Sequence, residues 1–235
     1  MGVRRRGGAP RRDRRSRPLP RGVRVVESAR GAAAAASVRG SPLPDRSVRP
    51  RGKATRSLVY PASVETRIAI TSRRDERGYQ PEPLPDGVVE RVLDAGRLAG
   101  SARNRQPWTF VVVEPGSRRD RLAAVVYVPE NVSSAALVVA VVVAGGSATT
   151  SFDAGRAAQN MLLAAWDAGL ASCPNGVADE AQARVVLEVE GDDRVAIVLT
   201  FGLPGRERDP AARSADEWSA RANRRPLGDV VRRLT

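Results

Sequence analysis

The feature that most constrains the fold is the run from Ala136 to Val143, in which every residue is alanine, leucine or valine. Such a run has no polar side to face water, so it is typical of a β-strand covered on both faces. It predicts a sheet that lies between two layers of helices. The wider apolar stretch over 135–146 is shorter than the roughly 20 residues of a membrane-spanning helix, so no membrane association is expected.

Helix and strand patterns alternate around this run from about residue 63. Apolar residues at helical spacing predict an amphipathic helix over 86–99. Ser117 and Asp120 have the spacing of a capping box, which predicts a helix from Ser117 to about Tyr127. Gly169 tolerates a left-handed cap and predicts the end of a helix over 152–168. Further elements are expected over 108–114 and 194–201 (strands), over 180–187 (helix) and after Pro226 (a last helical turn). This order predicts an α/β sandwich.

Positive charge is concentrated at the start of the chain. The sequence has 39 basic and 26 acidic residues, and residues 1–56 hold 17 of the basic ones but only Asp13, Glu27 and Asp45. The remaining chain, with 22 basic and 23 acidic residues, is nearly neutral. Because residues 1–56 lack an apolar period, we predict a disordered tail followed by one folded domain over residues 63–235.

Three interpretations of this tail stay open. An arginine-rich arm can bind nucleic acid, because guanidinium groups neutralise phosphates without a fold. An arginine-rich, acid-poor N-terminus also resembles an organellar targeting peptide. The third interpretation is a start codon assigned too early, in which case the protein would begin near Val59 or Val64.

The chain contains no histidine and one cysteine, Cys173. Histidine-dependent catalysis, histidine-ligated zinc and an intrachain disulfide are therefore excluded, and no metal site is expected. Without a histidine to activate it, Cys173 is expected to be a buried, unreactive thiol in a reduced compartment. The glycine-rich loops of Rossmann and P-loop nucleotide sites are also missing from the sequence.

Polar groups that could bind a ligand occur in four segments at the junctions of predicted elements. In the first, Arg73, Arg74 and Arg77 can converge on one phosphate, although a solvated charged turn has the same composition. The second, from Gly100 to Trp108, concentrates hydroxyl and amide groups between a helix and a strand. This composition suits either recognition of a ring edge or simple capping of the loop.

The third segment contains Gln159 and Asn160, which need partners if they are buried in so apolar a helix. It ends in a predicted turn over 173–176 that would expose backbone N–H groups. The fourth segment is a second compact pair of guanidinium groups, Arg224 and Arg225.

In this order, the four segments resemble the signatures of the nitroreductase family of FMN-dependent oxidoreductases. The matching stretches are Arg73-Arg74-Asp75-Glu76-Arg77, Ser101 to Trp108 (SARNRQPW), Ala157 to Ala165 (AAQNMLLAA) and Arg224 to Leu227 (RRPL). The resemblance covers residue 64 to the end. It implies an α+β fold in which helices flank a central, mainly antiparallel sheet, and a homodimer that holds two FMN molecules at the subunit interface.

The resemblance also implies roles for individual residues. The FMN phosphate would be held by Arg73, Arg74 and Arg77 with Arg224 and Arg225; Ser101, Ala102 and Asn104 would reach the flavin from the other subunit; and Pro174, Asn175 and Gly176 would face its ring. The flavin would carry a hydride from NADH or NADPH to a second substrate in a ping-pong mechanism, so no catalytic side chain is expected.

Two departures from the family pattern bear on this expectation. Asp75 stands where the family has a serine, and its carboxylate should weaken phosphate binding unless it points away and orients Arg73 or Arg77. The stretch between Tyr127 and Asp153 has room only for a loop, a strand and a connector. The substrate pocket is therefore expected to be open, or completed by the tail or a partner.

These observations predict a homodimeric, cytoplasmic FMN-dependent NAD(P)H oxidoreductase that reduces a nitroaromatic, a quinone or a similar conjugated small molecule. Two alternatives stay open. One is a flavin-sequestering protein without catalysis, which Asp75 and the short pocket roof would favour. The other is a nucleic-acid-associated protein that acts through the arginine-rich tail.

Overall fold

The computed structural model describes residues 64–234, so the predicted tail and the domain boundary near residue 63 lie outside the described residues. The helices are α1 (Thr66–Ser72), α2 (Val88–Arg97), α3 (Ser117–Ala123), α4 (Pro129–Ser133), α5 (Ala148–Asp167), α6 (Glu180–Val186), α7 (Ala215–Ala220) and α8 (Leu227–Val230). The strands are β1 (Tyr79–Gln80), β2 (Trp108–Val112), β3 (Leu137–Val143), β4 (Ala171–Asn175) and β5 (Arg194–Pro204). Within 64–234, no helix is long and apolar enough to cross a membrane.

The five strands form an antiparallel sheet with β3 in its interior. β2 pairs with one side of β3, where Trp108 lies opposite Val143, and β5 pairs with the other side, where Phe201 lies opposite Leu137. β5 also pairs with β4 and with β1, and these pairings are antiparallel as well. Every residue of β3 is buried. The predicted strand covered on both faces and the mainly antiparallel sheet are therefore confirmed.

Successive side chains of β3 enter two different cores because they point to opposite faces of the sheet. Val139 and Val141 pack with α2 and α5, and Met161 of α5 is fully buried against them. Val138 and Ala140 pack with α3, α4 and α6 on the other face. The sheet therefore lies between two helical layers, which confirms the predicted sandwich.

Most predicted elements are present with changed ends. α5 begins at Ala148, four residues before the predicted start, because the Ser147 side chain caps it by accepting from the backbone N–H of Thr150. The same helix ends just before Gly169, which has the expected left-handed φ, +75°. β5 continues to Pro204, three residues beyond the predicted strand.

Two predictions about helices are wrong. Gly116, and not Ser117, precedes α3, and no side chain caps this helix. Asp120, three residues after Ser117, is also shorter than the glutamate or glutamine that completes a capping box. Such a box does join Ser214 and Glu217 at the start of α7. The stretch between Tyr127 and Asp153, where no helix was expected, contains α4.

Candidate functional site: an arginine cluster and a strained loop

Arg73 and Arg74 follow directly on α1, a helix that is capped at its start and hydrogen-bonded to the core at its end. Glu65 caps the start of the helix with its carboxylate. At the other end, the buried Ser72 hydroxyl accepts a hydrogen bond of 2.9 Å from Nε1 of Trp166 on α5. The two arginines therefore leave the helix at a point that the core determines.

Asp75 lies beside the first of these arginines and forms an ion pair with it. Nη2 of Arg73 donates to Oδ1 of Asp75 over 2.6 Å, and the Arg73 side chain is only 12% exposed. A half-buried pair of this kind fixes the orientation of the guanidinium. Asp75 therefore orients Arg73, which meets one of the two requirements for an acid at this position.

Arg74 connects the end of α1 to α7. Its Nη1 donates to the carbonyl oxygen of Thr71 at 2.6 Å and its Nη2 to that of Trp218 at 3.3 Å. Burial lowers the pKa of Arg74, and the positive charges of Arg224 and Arg208 lower it further. Arg74 of the first predicted segment and Arg224 of the fourth therefore lie close enough for their charges to interact, while Arg77, Arg224 and Arg225 have exposed side chains.

One ion pair beside this cluster, Glu76 with Arg208, was not expected from the sequence. The buried Glu76 carboxylate accepts at Oε1 from Nη2 of Arg208 at 3.0 Å and from its Nε at 3.2 Å. The backbone N–H of Glu76 donates to the carbonyl oxygen of Ser172 in β4. Arg208 is 132 residues away from Glu76 in the chain and belongs to no motif, so no local signal could have found it.

The segment over 174–176 is not the predicted turn, because residues up to Asn175 belong to β4. Among the described residues β4 pairs only with β5, and an edge strand tolerates Pro174, which has no N–H to donate. The Asn175 side chain is buried; its Oδ1 accepts from Nδ2 of Asn131 at 2.6 Å, and its Nδ2 lies 3.0–3.2 Å from three acceptors. A ligand at this segment would therefore meet backbone atoms and not the Asn175 amide.

Cys173 also lies in β4 and is buried, as expected. Burial raises the pKa of its thiol, although the nearby Arg77 guanidinium opposes this shift. A buried, protonated thiol is a poor nucleophile. The structure therefore confirms the expected packing role of Cys173.

The predicted flavin-binding loop before β2 has a strained backbone. Arg103, Asn104 and Gln106 adopt left-handed φ angles of 54°, 53° and 49°. Residues other than glycine in this region cost of order 1–3 kcal/mol each, and they occur preferentially at functional sites. The Ser101 hydroxyl partly fixes this conformation by accepting from the backbone N–H of Gln106 at 2.8 Å.

Asp153 of α5 anchors the loop through a backbone hydrogen bond, and this role was not expected from the sequence. Its Oδ2 accepts a 2.9 Å hydrogen bond from the backbone N–H of Ala102, and the residue is only 2% exposed. Its other oxygen lies 3.7 Å from Nη1 of Arg156. A buried carboxylate on a helix thus anchors the strained loop.

Within one chain, the loop and the arginine cluster lie far apart. The loop is anchored at Asp153 and the end of α1 at Trp166, which are about 20 Å apart along α5 at 1.5 Å per residue. The loop also precedes β2, whereas Glu76 contacts β4, on the other side of β3 and β5. One chain therefore does not bring the two predicted halves of the site together.

Fold and site together define an α+β protein with a cluster of guanidinium groups suited to an anion. A model of the Nitroreductase family matches residues 70–145 and 134–203. These matches span more than half of the chain, so the protein belongs to the nitroreductase family. The family inferred from the four motifs is thereby confirmed.

Individual relatives cover different shares of the chain. It is 39% identical over 57 residues to NADH dehydrogenase from Thermus thermophilus, which is 24% of this chain and 28% of that protein. It is 28% identical over 149 residues to an Archaeoglobus fulgidus protein provisionally assigned as an NADH dehydrogenase/NAD(P)H nitroreductase. This match covers 60% of this chain and 86% of that protein. A provisionally assigned nitroreductase from Desulfovibrio desulfuricans, solved in complex with FMN, matches with a TM-score of 0.60 and 27% identity over 73% of this chain and 99% of that one.

Proposed function

We propose that this protein is an FMN-dependent oxidoreductase of the cytoplasm that uses NADH or NADPH to reduce a conjugated small molecule, such as a nitroaromatic or a quinone. The observation that carries the proposal is the arginine cluster formed by Arg73, Arg74, Arg208 and Arg224. The similarity to a protein solved with FMN, and to one provisionally assigned as an NADH dehydrogenase/NAD(P)H nitroreductase, supports the choice of cofactor and reductant.

The donors of this cluster fit a phosphate monoester. Guanidinium groups bind phosphate through charge-assisted hydrogen bonds. The like charges that lower the pKa of Arg74 repel one another, and a bound dianion would relieve that repulsion. Asp75 and Glu76 each hold an arginine in place, so little ordering of side chains would be needed on binding.

Each part of the chain then has a distinct task. The arginine cluster binds the phosphate, the backbone over 174–176 faces the ring, and the loop with Ser101, Ala102 and Asn104 contributes hydroxyl and amide groups. FMN, when bound, supplies the hydride-transfer chemistry. The chain needs only to bind, orient and shield it, so the lack of histidine in the sequence is no obstacle.

We further propose that the site is shared by two chains, because the loop and the cluster are about 20 Å apart along α5 within one chain. Co-purifying an Arg73→Ala chain with an Asn104→Ala chain tests this. In a shared site, the mixed dimer has one site with both defects and one with neither, so it recovers about half of the wild-type flavin content. If each chain forms its own site, no mixture recovers any.

The test of the function is the visible spectrum of the purified protein. A flavin spectrum that is bleached anaerobically by NADH or NADPH and recovers when a quinone is added is the expected result. A protein that binds FMN but is never bleached would favour the flavin-sequestering alternative. A protein that remains colourless after titration with FMN would refute the cofactor assignment.

Matched variants connect this test to the cluster. Arg73→Ala should weaken FMN binding, because it removes a guanidinium that Asp75 orients. Arg121→Ala is the control, since it also removes one arginine but from an exposed position on α3. Equal FMN affinities of the two variants would exclude the cluster as the phosphate site.

A further inference from the structure

Arg208, unlike Arg73 and Arg74, has a terminal nitrogen that makes no hydrogen bond within the described residues. Both terminal nitrogens of Arg73 and of Arg74 already donate to protein oxygens. Arg208 uses Nε and Nη2 toward Glu76, whereas its Nη1 makes no hydrogen bond within residues 64–234. Its side chain is 21% exposed, so this nitrogen is accessible from solvent or to a ligand on one side.

Glu76 holds Arg208 through one oxygen only. Both donors of Arg208 converge on Oε1, while the buried Oε2 has no hydrogen-bond partner within the described residues. A pair that served stability alone would gain from engaging both oxygens, since an unsatisfied buried carboxylate oxygen is costly. The observed geometry instead fixes one edge of the guanidinium and leaves the Nη1 end free.

We infer that Arg208 is a phosphate-binding residue, held by the positioning residue Glu76, and that its Nη1 donates to the phosphate monoester of FMN. This inference rests on the proposed function, because it assigns the phosphate of that cofactor. The positive charge of Arg208, which acts on Arg74, places it in the same cluster. The 2′-phosphate of NADPH has the same chemistry, so the test separates the two sources.

The probes are FMN and riboflavin, which differ only in the phosphate. Arg208→Ala should weaken FMN binding about 10- to 100-fold, as expected for a charge-assisted hydrogen bond, and leave riboflavin binding unchanged. Arg206→Ala is the control: Arg206 lies in the same loop, 3.6 Å from the same Glu76 oxygen, but is 77% exposed. It should change neither affinity by more than about twofold.

Glu76→Ala should reduce the preference for FMN over riboflavin as Arg208→Ala does, and the double variant should lose no more than either single one. If Glu76→Ala fails to fold, Arg208→Lys is the second test. Lysine keeps the positive charge but lacks the paired N–H donors of a guanidinium, so its FMN affinity should lie between those of the wild type and Arg208→Ala.

Three results would overturn the inference. The first is an equal loss of FMN and riboflavin affinity in Arg208→Ala, and the second is no loss of either. The third is an increased KM for NADPH but not for NADH with unchanged FMN affinity, which would assign Arg208 to the 2′-phosphate. Absence of flavin binding in the wild-type protein would instead refute the proposed function, so the two failures are distinguishable.

Discussion

Replacing Asp153 by alanine should destabilise the protein and loosen the loop over 101–106. Asp153 is almost fully buried and accepts the backbone N–H of Ala102. Without the carboxylate, this N–H lies beneath the loop with no acceptor, and the strain at Arg103 and Asn104 loses one of the contacts that maintain it. A loop with left-handed residues persists only where its surroundings enforce that conformation.

The size of the effect follows from two contacts. A hydrogen bond to a charged, buried acceptor is worth about 1.5–3 kcal/mol. The ion pair with Arg156 is long, 3.7 Å, and Arg156 is 44% exposed, so it adds well under 1 kcal/mol. We therefore expect Asp153→Ala to lower the free energy of unfolding by about 2–3 kcal/mol. Asp153→Asn keeps an acceptor and should cost about 1 kcal/mol.

Urea denaturation followed by tryptophan fluorescence, without added flavin, measures this difference. The control is Asp94→Ala, which removes an exposed aspartate whose pair with Arg97 lies on the surface of α2 and is worth about 0.3–0.5 kcal/mol. An Asp153→Ala protein as stable as the Asp94→Ala protein would refute the reasoning. So would equal losses for Asp153→Ala and Asp153→Asn.

Three further measurements test other parts of the structure. Gly96→Ala should lower the free energy of unfolding by about 1–3 kcal/mol, because the added Cβ would lie 2.8 Å from Met161 and 2.9 Å from Phe110. An unchanged midpoint in urea denaturation would contradict this packing of α2 on α5. Burial raises the pKa of Tyr79, so the folded state binds the phenol proton more tightly than the unfolded state does. The free energy of unfolding should therefore fall as the pH rises above about 10. Tyr79→Phe should remove this dependence, and a variant with the same pH profile of stability as the wild type would contradict the prediction. Cys173, the only cysteine, should react with a thiol reagent at neutral pH only after unfolding, and rapid labelling of the native protein would contradict its burial.

The parts of the fold that depend on local pattern were predictable from the sequence. The aliphatic run of β3 requires burial on both faces, and Gly169 marks the end of α5 through its own φ preference. The predicted capping box at Ser117 failed because the spacing alone does not show which residue precedes the helix. Pro174 favoured a turn, and only the pairing of β4 with β5 shows that it lies on an edge strand.

Only those residues of the candidate site that lie within a local sequence motif were predictable. The arginines at 73 and 74 and the loop over 101–106 follow from their own segments, but their anchors do not. Asp153 lies 51 residues from Ala102, and Arg208 lies far from Glu76 in the chain. These pairs form because the sheet and α5 bring distant segments together, and a single sequence does not show which distant residues come into contact.

The central claim is that guanidinium groups around the end of α1 hold the phosphate of FMN. The most direct measurement is a crystal structure of the protein grown with FMN. We expect the phosphate within about 3.2 Å of guanidinium nitrogens, Nη1 of Arg208 among them, with the ring against residues 174–176 and Ser101 of a second chain close to it. A phosphate bound away from Arg73, Arg74 and Arg208, or a flavin enclosed by one chain alone, would contradict the account.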